Sequence, residues 1–156
     1  MSKLQDEVDL LRSIPMFANL AANKLKLLAF ASDRVSYSEG EVLFEQGDEA
    51  DAAYVVISGE ADILVTTGDT VSKVAVLGPN EFVGDMAILC DIQRTATVKA
   101  NSPMEALRIR KEHLNELIND TPALAMSVLK ELVQRLAKTT KDLSEANEEI
   151  QRLKAG

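Results

Sequence analysis

Cysteine and histidine are almost absent from this sequence, which holds one residue of each, Cys90 and His113. A single cysteine excludes a disulfide within the chain and is compatible with a reducing cytoplasm. A metal-dependent β-barrel enzyme needs several His and carboxylate ligands on its strands, whereas the only histidine falls on a predicted helix. We therefore expect no metal site and no enzymatic activity.

Long apolar runs and an excess of basic residues are missing as well. No stretch approaches the roughly 20 apolar residues of a transmembrane helix, and the charged start Met1–Leu11 lacks the apolar region of a signal peptide. There are 17 Lys and Arg against 25 Asp and Glu, which gives a formal net charge of −8. Because nucleic-acid binding through many phosphates needs clustered basic residues, we expect no direct nucleic-acid partner. We also expect no membrane partner and a cytoplasmic location.

The chain has 156 residues, 46% of them hydrophobic, which suits one compact domain with an accessory helix. Apolar residues at helical spacing predict a first helix around Leu4, Val8 and Leu11 that ends before Pro15. A second helix is predicted to follow, with its apolar residues at Leu20, Leu25, Leu28 and Ala29.

Short runs of alternating apolar and polar residues, separated by glycines, extend from Arg34 to Ile109. This rhythm is typical of antiparallel strands. We predict strands at Arg34–Tyr37, Glu41–Phe44, Ala53–Ser58, Ala61–Thr66, Lys73–Leu77, Thr95–Ala100 and Glu105–Ile109, with a hairpin tip at Thr67-Gly68-Asp69. The fold class is therefore mainly β with flanking α-helices.

One stretch interrupts the strands. Gly84–Leu89 contains helix-compatible residues directly after a glycine. A helix that starts there presents unpaired backbone N–H groups and the positive end of its dipole, which favour an anion. We interpret this stretch as a short internal helix that captures a small anion.

The C-terminal part returns to helical spacing. A short helix around His113 and Leu114 precedes Thr121-Pro122, where proline in the first turn favours the start of a long helix. With Leu129 as an a position, a nearly apolar heptad series follows at Leu129, Leu132, Leu136, Thr139, Leu143, Ala146, Ile150 and Leu153. We predict a domain over residues 1–125 and a coiled-coil segment over residues 126–156 that forms a homodimer.

Two segments, Glu81–Leu89 and Gln93–Val98, resemble the phosphate-binding cassette of cyclic-nucleotide-binding domains. That cassette runs Phe-Gly-Glu-x-Ala-Leu and then, after a short loop, Pro-Arg-x-Ala. Ser13–Phe17, Glu45–Asp48 and Tyr54–Glu60 are similar to the family's entry turn, early glycine loop and central hairpin. The resemblance implies a double-stranded β-helix, that is, a jelly-roll-like β-roll with N-terminal helices, a cassette helix and a long C-terminal helix.

The resemblance also implies a ligand, cAMP or cGMP, and residues that bind it. The implied cassette ligands are Val83, Gly84, Asp85, Met86, Ala87, Arg94 and Thr95. Arg94 is the implied phosphate ligand, since its planar charged fork matches the two exocyclic oxygens of a cyclic phosphodiester. Backbone N–H groups around Ala87 and Thr95 are expected to complete the cradle.

This sequence departs from the family pattern at three positions. Asp85 replaces the glutamate that accepts a hydrogen bond from the ribose 2′-hydroxyl, and it is one methylene shorter. Gln93 replaces a proline, and Val83 replaces a phenylalanine. We expect Asp85 either to reach the ribose through a small backbone shift or to bind it more weakly through water.

Two features bear on which nucleotide binds. A hydroxyl residue after the arginine, here Thr95, resembles cGMP-preferring members, although some cAMP-binding members carry one too. The segment Gln134–Thr140 is similar to the dimerisation helix of catabolite-activator members, in which adjacent hydroxyl residues reach the adenine, one of them from the partner chain. This implies base contacts for Thr139 and Thr140, and cAMP is favoured over cGMP.

Two functions remain open. The first is a regulatory module that reports nucleotide occupancy through its C-terminal helix to an unknown effector. The alternative is a ligand-free structural or dimerisation module with a degenerate site, which the Asp85 departure suggests. A catabolite-activator type of transcription factor needs a helix-turn-helix after the long helix. No such segment follows in this sequence, so we expect either a complete chain that signals through a partner or a fragment.

Overall fold

The computed structural model describes residues 3–155, which contain five α-helices and eight strands. The helices are α1 (Lys3–Arg12), α2 (Ala22–Ala31), α3 (Asp85–Leu89), α4 (Lys111–Asp120) and α5 (Pro122–Ala155), and a 3₁₀ turn lies at Pro15–Phe17. The strands are β1 (Asp33–Tyr37), β2 (Val42–Phe44), β3 (Ala52–Ser58), β4 (Ala61–Thr67), β5 (Thr70–Leu77), β6 (Phe82–Val83), β7 (Thr97–Ala100) and β8 (Met104–Arg110). The predicted mainly β fold with flanking helices is confirmed.

The strands form two four-stranded antiparallel sheets, with the orders β1-β8-β3-β6 and β2-β7-β4-β5. Consecutive strands such as β2 and β3 lie in different sheets, so the chain winds between the two layers as a roll. The cassette helix α3 follows β6 directly and precedes β7, so it lies where the chain crosses from one sheet to the other.

Strand β3 separates two apolar cores, because successive side chains of a strand point to opposite faces. Ala53 and Val55 pack in the core that also contains the buried residues of the helices. Tyr54 and Val56 pack in the second core, between the two sheets. Both faces of this strand are therefore buried.

Several strand boundaries differ from the prediction, and one strand was missed. The predicted strand from Thr95 begins at Thr97, because the backbone of Arg94 bonds to the loop before β3 instead of to a sheet. Thr67 pairs with Thr70, which shortens the hairpin tip to Gly68-Asp69. β6 was not predicted, since two residues are too few to show alternation.

The first turns of α5 belong to the core of the roll. Leu124 and Val128 are buried there, and Leu132 packs against the same core. Among the described residues of α5 after Leu132, only Arg135 is not exposed. None of the described helices combines the length and the apolar character needed to cross a membrane.

The position of Leu132 corrects the predicted heptad register. Because Leu132 faces its own domain, its neighbour Val133 lies on the exposed side, at 57% exposure. The exposed large apolar residues of α5 are Met126, Leu129, Val133, Leu136, Leu143, Ile150 and Leu153, and the first six form the exposed apolar stripe. Met1, Ser2 and Gly156, at the ends of the two predicted segments, lie outside the described residues.

Candidate functional site

The cassette turns sharply from β6 into α3 at Gly84. This residue precedes the helix with φ +84°, a left-handed conformation that favours glycine. A Cβ atom there would lie 2.7 Å from Nη1 of Arg94 and 3.3 Å from Cε2 of Phe44. Gly84 is thus required both by its backbone conformation and by the close approach of two side chains.

The guanidinium of Arg94 lies inside the roll, and the residue is only 3% exposed. Nη1 donates a hydrogen bond of 2.7 Å to the carbonyl of Gly84, and Nη2 donates to the carbonyl of Ala52. The carboxylate of Asp51 lies 3.9 Å from Nη2, and the Cζ atom stacks 3.9 Å from the centroid of the Phe44 ring. The arginine is therefore held in one orientation by contacts on several sides.

The third nitrogen of this guanidinium has no partner in the described part of the chain. The Nε–H group of Arg94 is buried and has no hydrogen-bond partner within residues 3–155. Burial lowers the pKa of Arg94, and Tyr54 and Asp51 oppose that shift. Because arginine keeps its proton in proteins, a buried positive charge with an unpaired Nε–H group lies beside the cassette.

The aspartate of the cassette is paired with α5. Asp85 is 3% exposed, and its Oδ2 lies 3.1 Å from Nη2 of Arg135, with Oδ1 at 3.4 Å from Nη1. Nη2 of Arg135 also contacts Oε1 of Glu131 at 3.1 Å. Burial alone would lower the pKa of Arg135, but Asp85 and Glu131 outweigh it and raise that pKa. The last inward contact of α5 is therefore a two-pronged ion pair with the predicted ribose ligand.

A cavity of about 220 Å³ unites these groups. All seven predicted cassette ligands, Val83–Ala87, Arg94 and Thr95, line it. Its charged lining residues are Asp85, Arg94 and Arg135, which carry a net charge of +1 although the whole chain carries −8. The lining itself therefore carries one excess positive charge, while Asp51 and Glu131 lie next to its two arginines outside the lining.

The threonines predicted to contact the base lie elsewhere. Thr139 and Thr140 are exposed and are not among the residues that line the cavity. The hydroxyl of Thr139 donates to the carbonyl of Arg135 at 2.9 Å, one turn back along α5. The base contacts of both residues stay a prediction.

Seven lining residues were not predicted as ligands: Phe44, Ile63, Leu77, Phe82, Ala96, Val98 and Arg135. Arg135 follows Val128 by seven residues, so helical spacing places both on one face of α5 once Val128 is known to be buried. Phe44 gave no such signal, because its contact with Arg94 spans fifty residues of sequence.

The residues present fit a cyclic nucleotide phosphate. The unpaired Nε–H group supplies a charged donor, and the absence of a side chain at Gly84 keeps the lining near Arg94 free of bulk. No group of three or more His, Cys, Asp or Glu residues within residues 3–155 is arranged to hold a metal ion.

A family profile described as "Cyclic nucleotide-binding domain" matches residues 34–121, more than half of the chain. The chain belongs to this family. The domain's general function is therefore regulatory cyclic nucleotide binding, and the predicted family is confirmed.

Two sequence relatives illustrate the family. The chain is 31% identical over 134 residues to the Cyclic AMP receptor protein of Thermus thermophilus, which covers 85% of this chain and 62% of that protein. It is 28% identical over 127 residues to the cGMP-dependent protein kinase egl-4 of Caenorhabditis briggsae, covering 80% of this chain and 17% of the kinase. The chain thus spans less than two thirds of the length of these relatives.

Solved structures share the fold. The sensor domain of the transcriptional regulator DNR from Pseudomonas aeruginosa has a TM-score of 0.81 at 26% identity, covering 90% of this chain and 95% of that one. The Catabolite Activator Protein of Thermus thermophilus has a TM-score of 0.75 at 31% identity, covering 83% and 62%. The β-roll with its long C-terminal helix is therefore the fold of this family.

The pair between Asp85 and Arg135 should contribute to stability. Arg135→Ala leaves the buried carboxylate of Asp85 without its partner, and we expect the free energy of unfolding to fall by about 1–3 kcal/mol. Urea unfolding at fixed protein concentration measures this change. The control is Arg152→Ala, which removes an exposed partner of Glu149 and should have little effect. Equal effects of the two variants would contradict the assigned pair.

Proposed function

We propose that this domain is a cytoplasmic sensor that binds cAMP in preference to cGMP and reports occupancy through α5 to an effector. It acts as a regulatory module, not as an enzyme. The observation that carries the proposal is the buried Nε–H group of Arg94, beside a cavity whose charged lining sums to +1. A buried donor without an acceptor costs about 1–3 kcal/mol, and a phosphate oxygen of a bound nucleotide relieves that cost.

The ribose is held at Asp85. Its carboxylate is buried, lines the same cavity as Arg94, and accepts hydrogen bonds only. A ribose 2′-hydroxyl that enters the cavity donates to one of its oxygens and therefore competes with Arg135. The shorter side chain of Asp, compared with the family's Glu, reaches the ribose through a small backbone shift or binds it more weakly through water.

This competition transmits the signal. Arg135 is the last residue of α5 that is not exposed within the described part of that helix. When the ribose takes an oxygen of Asp85, Arg135 keeps Glu131 as its partner, so the charge is not left unpaired. The ion pair between the roll and α5 weakens, and the bound nucleotide therefore favours a different position of the helix.

The base extends from the cavity toward α5. Thr139 lies four residues after Arg135, about 6 Å further along the helix and on nearly the same face. Its hydroxyl is placed beyond the ribose site, where it contacts the amino group of adenine. Thr140 lies about 100° further around the helix, toward the exposed apolar stripe, and reaches the base in the partner subunit.

The exposed stripe of α5 forms a parallel homodimer. In the corrected register, Met126, Val133, Thr140 and Asn147 are a positions. The d positions are Leu129, Leu136, Leu143 and Ile150. Leucine at d with a β-branched residue at a favours two strands, and an asparagine at a single a position fixes the register of a two-stranded coil. This pattern explains why the stripe is apolar although it is exposed in a single chain.

A second candidate function is a ligand-free module, and two observations favour it. The cavity of about 220 Å³ is smaller than the about 300–1,000 Å³ that is typical of ligand pockets. Both terminal nitrogens of Arg94 are already bonded to backbone carbonyls. In this alternative, Arg94 and Asp85 serve only to fix the cassette and α5.

Calorimetric titration with cAMP and cGMP separates the two functions. We expect the unmodified chain to bind both nucleotides, cAMP more tightly, and Arg94→Lys to bind at least about tenfold more weakly, because the planar fork is lost. Asp85→Ala should cost less than Arg94→Ala, since a ribose hydrogen bond is weaker than a phosphate ion pair.

The matched control is Arg110→Lys, the same exchange at an arginine that pairs with Asp33 on the surface. Its affinity for cAMP should equal that of the unmodified chain. If neither nucleotide binds at millimolar concentration, the ligand-free module is correct. If Arg94→Lys and Arg110→Lys bind cAMP equally well, the assigned phosphate ligand is wrong.

The dimer is tested by sedimentation equilibrium. We expect the unmodified chain to be a dimer and Leu136→Asp to be a monomer, because a carboxylate at a d position places a charge in the apolar seam. Lys138→Asp, two residues away at the outermost f position, should remain a dimer. A monomeric unmodified chain at high micromolar concentration would refute the coiled coil.

A further inference from the structure

Phe44 lies against Arg94, the residue proposed to bind the phosphate. Its ring centroid lies 3.9 Å from the Cζ atom of Arg94, and the ring stacks on Tyr54 with centroids 5.9 Å apart. The same ring lies beside Gly84, where an added Cβ would approach it to 3.3 Å. Phe44 thus fills the space between the second core and the guanidinium, and it lines the cavity.

The residues after Phe44 form hydrogen bonds with the backbone of the same arginine. The N–H group of Gly47 donates to the carbonyl of Arg94 at 2.8 Å, and the N–H group of Arg94 donates to the carbonyl of Asp48 at 2.8 Å. The backbone N–H group of Gln46 donates to the hydroxyl of Thr97 at 2.9 Å. The segment from Phe44 to Asp48 therefore holds both ends of Arg94, its backbone and its guanidinium.

We infer that Phe44 is a positioning residue for nucleotide binding, which holds the guanidinium of Arg94 in the orientation that receives the phosphate. This inference rests on the proposed function, since it assigns Phe44 a role at the same site. Phe44 need not touch the nucleotide, because it acts through Arg94.

The physical reason lies in the face of the ring. A guanidinium that is largely removed from water is stabilised by contact with an aromatic face, because that face carries partial negative charge. The Cζ atom of Arg94 lies over the ring face, so this contact uses none of the N–H donors of the guanidinium. An aliphatic side chain at position 44 fills a similar volume but neither attracts the charge nor fixes the plane.

Nuclear magnetic resonance tests the contact without any nucleotide. A proton that lies over an aromatic face resonates upfield, so the Nε–H signal of Arg94 should be shifted upfield and should exchange slowly with water. Arg94→Lys identifies the signal by its loss. We expect the upfield shift to vanish in Phe44→Leu and to persist in Phe44→Tyr, which retains the ring.

Calorimetry with cAMP then tests the function. Phe44→Leu should bind cAMP about tenfold more weakly, because a desolvated cation–π contact has about that strength, and Phe44→Tyr should restore the affinity. The matched control is Phe30→Leu, the same exchange at an exposed phenylalanine of α2, which should bind as the unmodified chain does. A merely space-filling role predicts instead that Phe44→Leu, which keeps an apolar side chain of similar size, binds cAMP as the unmodified chain does.

The outcomes separate this inference from the proposed function. If Phe44→Leu loses the upfield signal and keeps full cAMP affinity, Phe44 has no positioning role and the inference is overturned. An Nε–H signal that is the same in Phe44→Leu and in the unmodified chain overturns the contact itself. If the unmodified chain binds neither cAMP nor cGMP, the proposed function and the role of Phe44 in binding both fail, while the signal still reports whether the ring holds the guanidinium.

Discussion

A permanent positive charge buried inside the roll is the constraint on which the site depends. An arginine cannot lose its proton to avoid the cost of leaving water, so its surroundings must supply partners. Arg94 obtains them from the carbonyls of Gly84 and Ala52 and from the ring of Phe44. This single buried charge explains three features of the site. They are the left-handed glycine, the aromatic residue at the end of β2, and the loop whose backbone bonds to the backbone of Arg94.

A second buried charge connects the cassette to the rest of the molecule. The carboxylate of Asp85 is as deeply buried as Arg94, yet its partner comes from the long helix and not from the roll. Arg135 in turn is shared with Glu131. This ion pair joins two elements and has an alternative partner beside it. The proposed signal from the cassette to α5 depends on it.

Much of the fold followed from local patterns in the sequence, and much of the site followed from its resemblance to a family. Alternating runs and glycines located most of the strands, and the cassette motif located Arg94 and Asp85. Features that depend on which way an element faces were not accessible. Leu132 and Val133 are both apolar, so only packing shows that Leu132 faces the core. The stacking of Phe44 on Arg94 joins distant segments, which no spacing rule predicts.

The central claim is that Arg94 recognises the charge of a cyclic phosphate. A thermodynamic cycle tests it by comparing cAMP with its uncharged phosphate methyl ester, on the unmodified chain and on Arg94→Ala, by calorimetry. The account predicts that the unmodified chain prefers charged cAMP by about 100-fold and that Arg94→Ala loses most of this preference. The same preference in both chains would contradict the account.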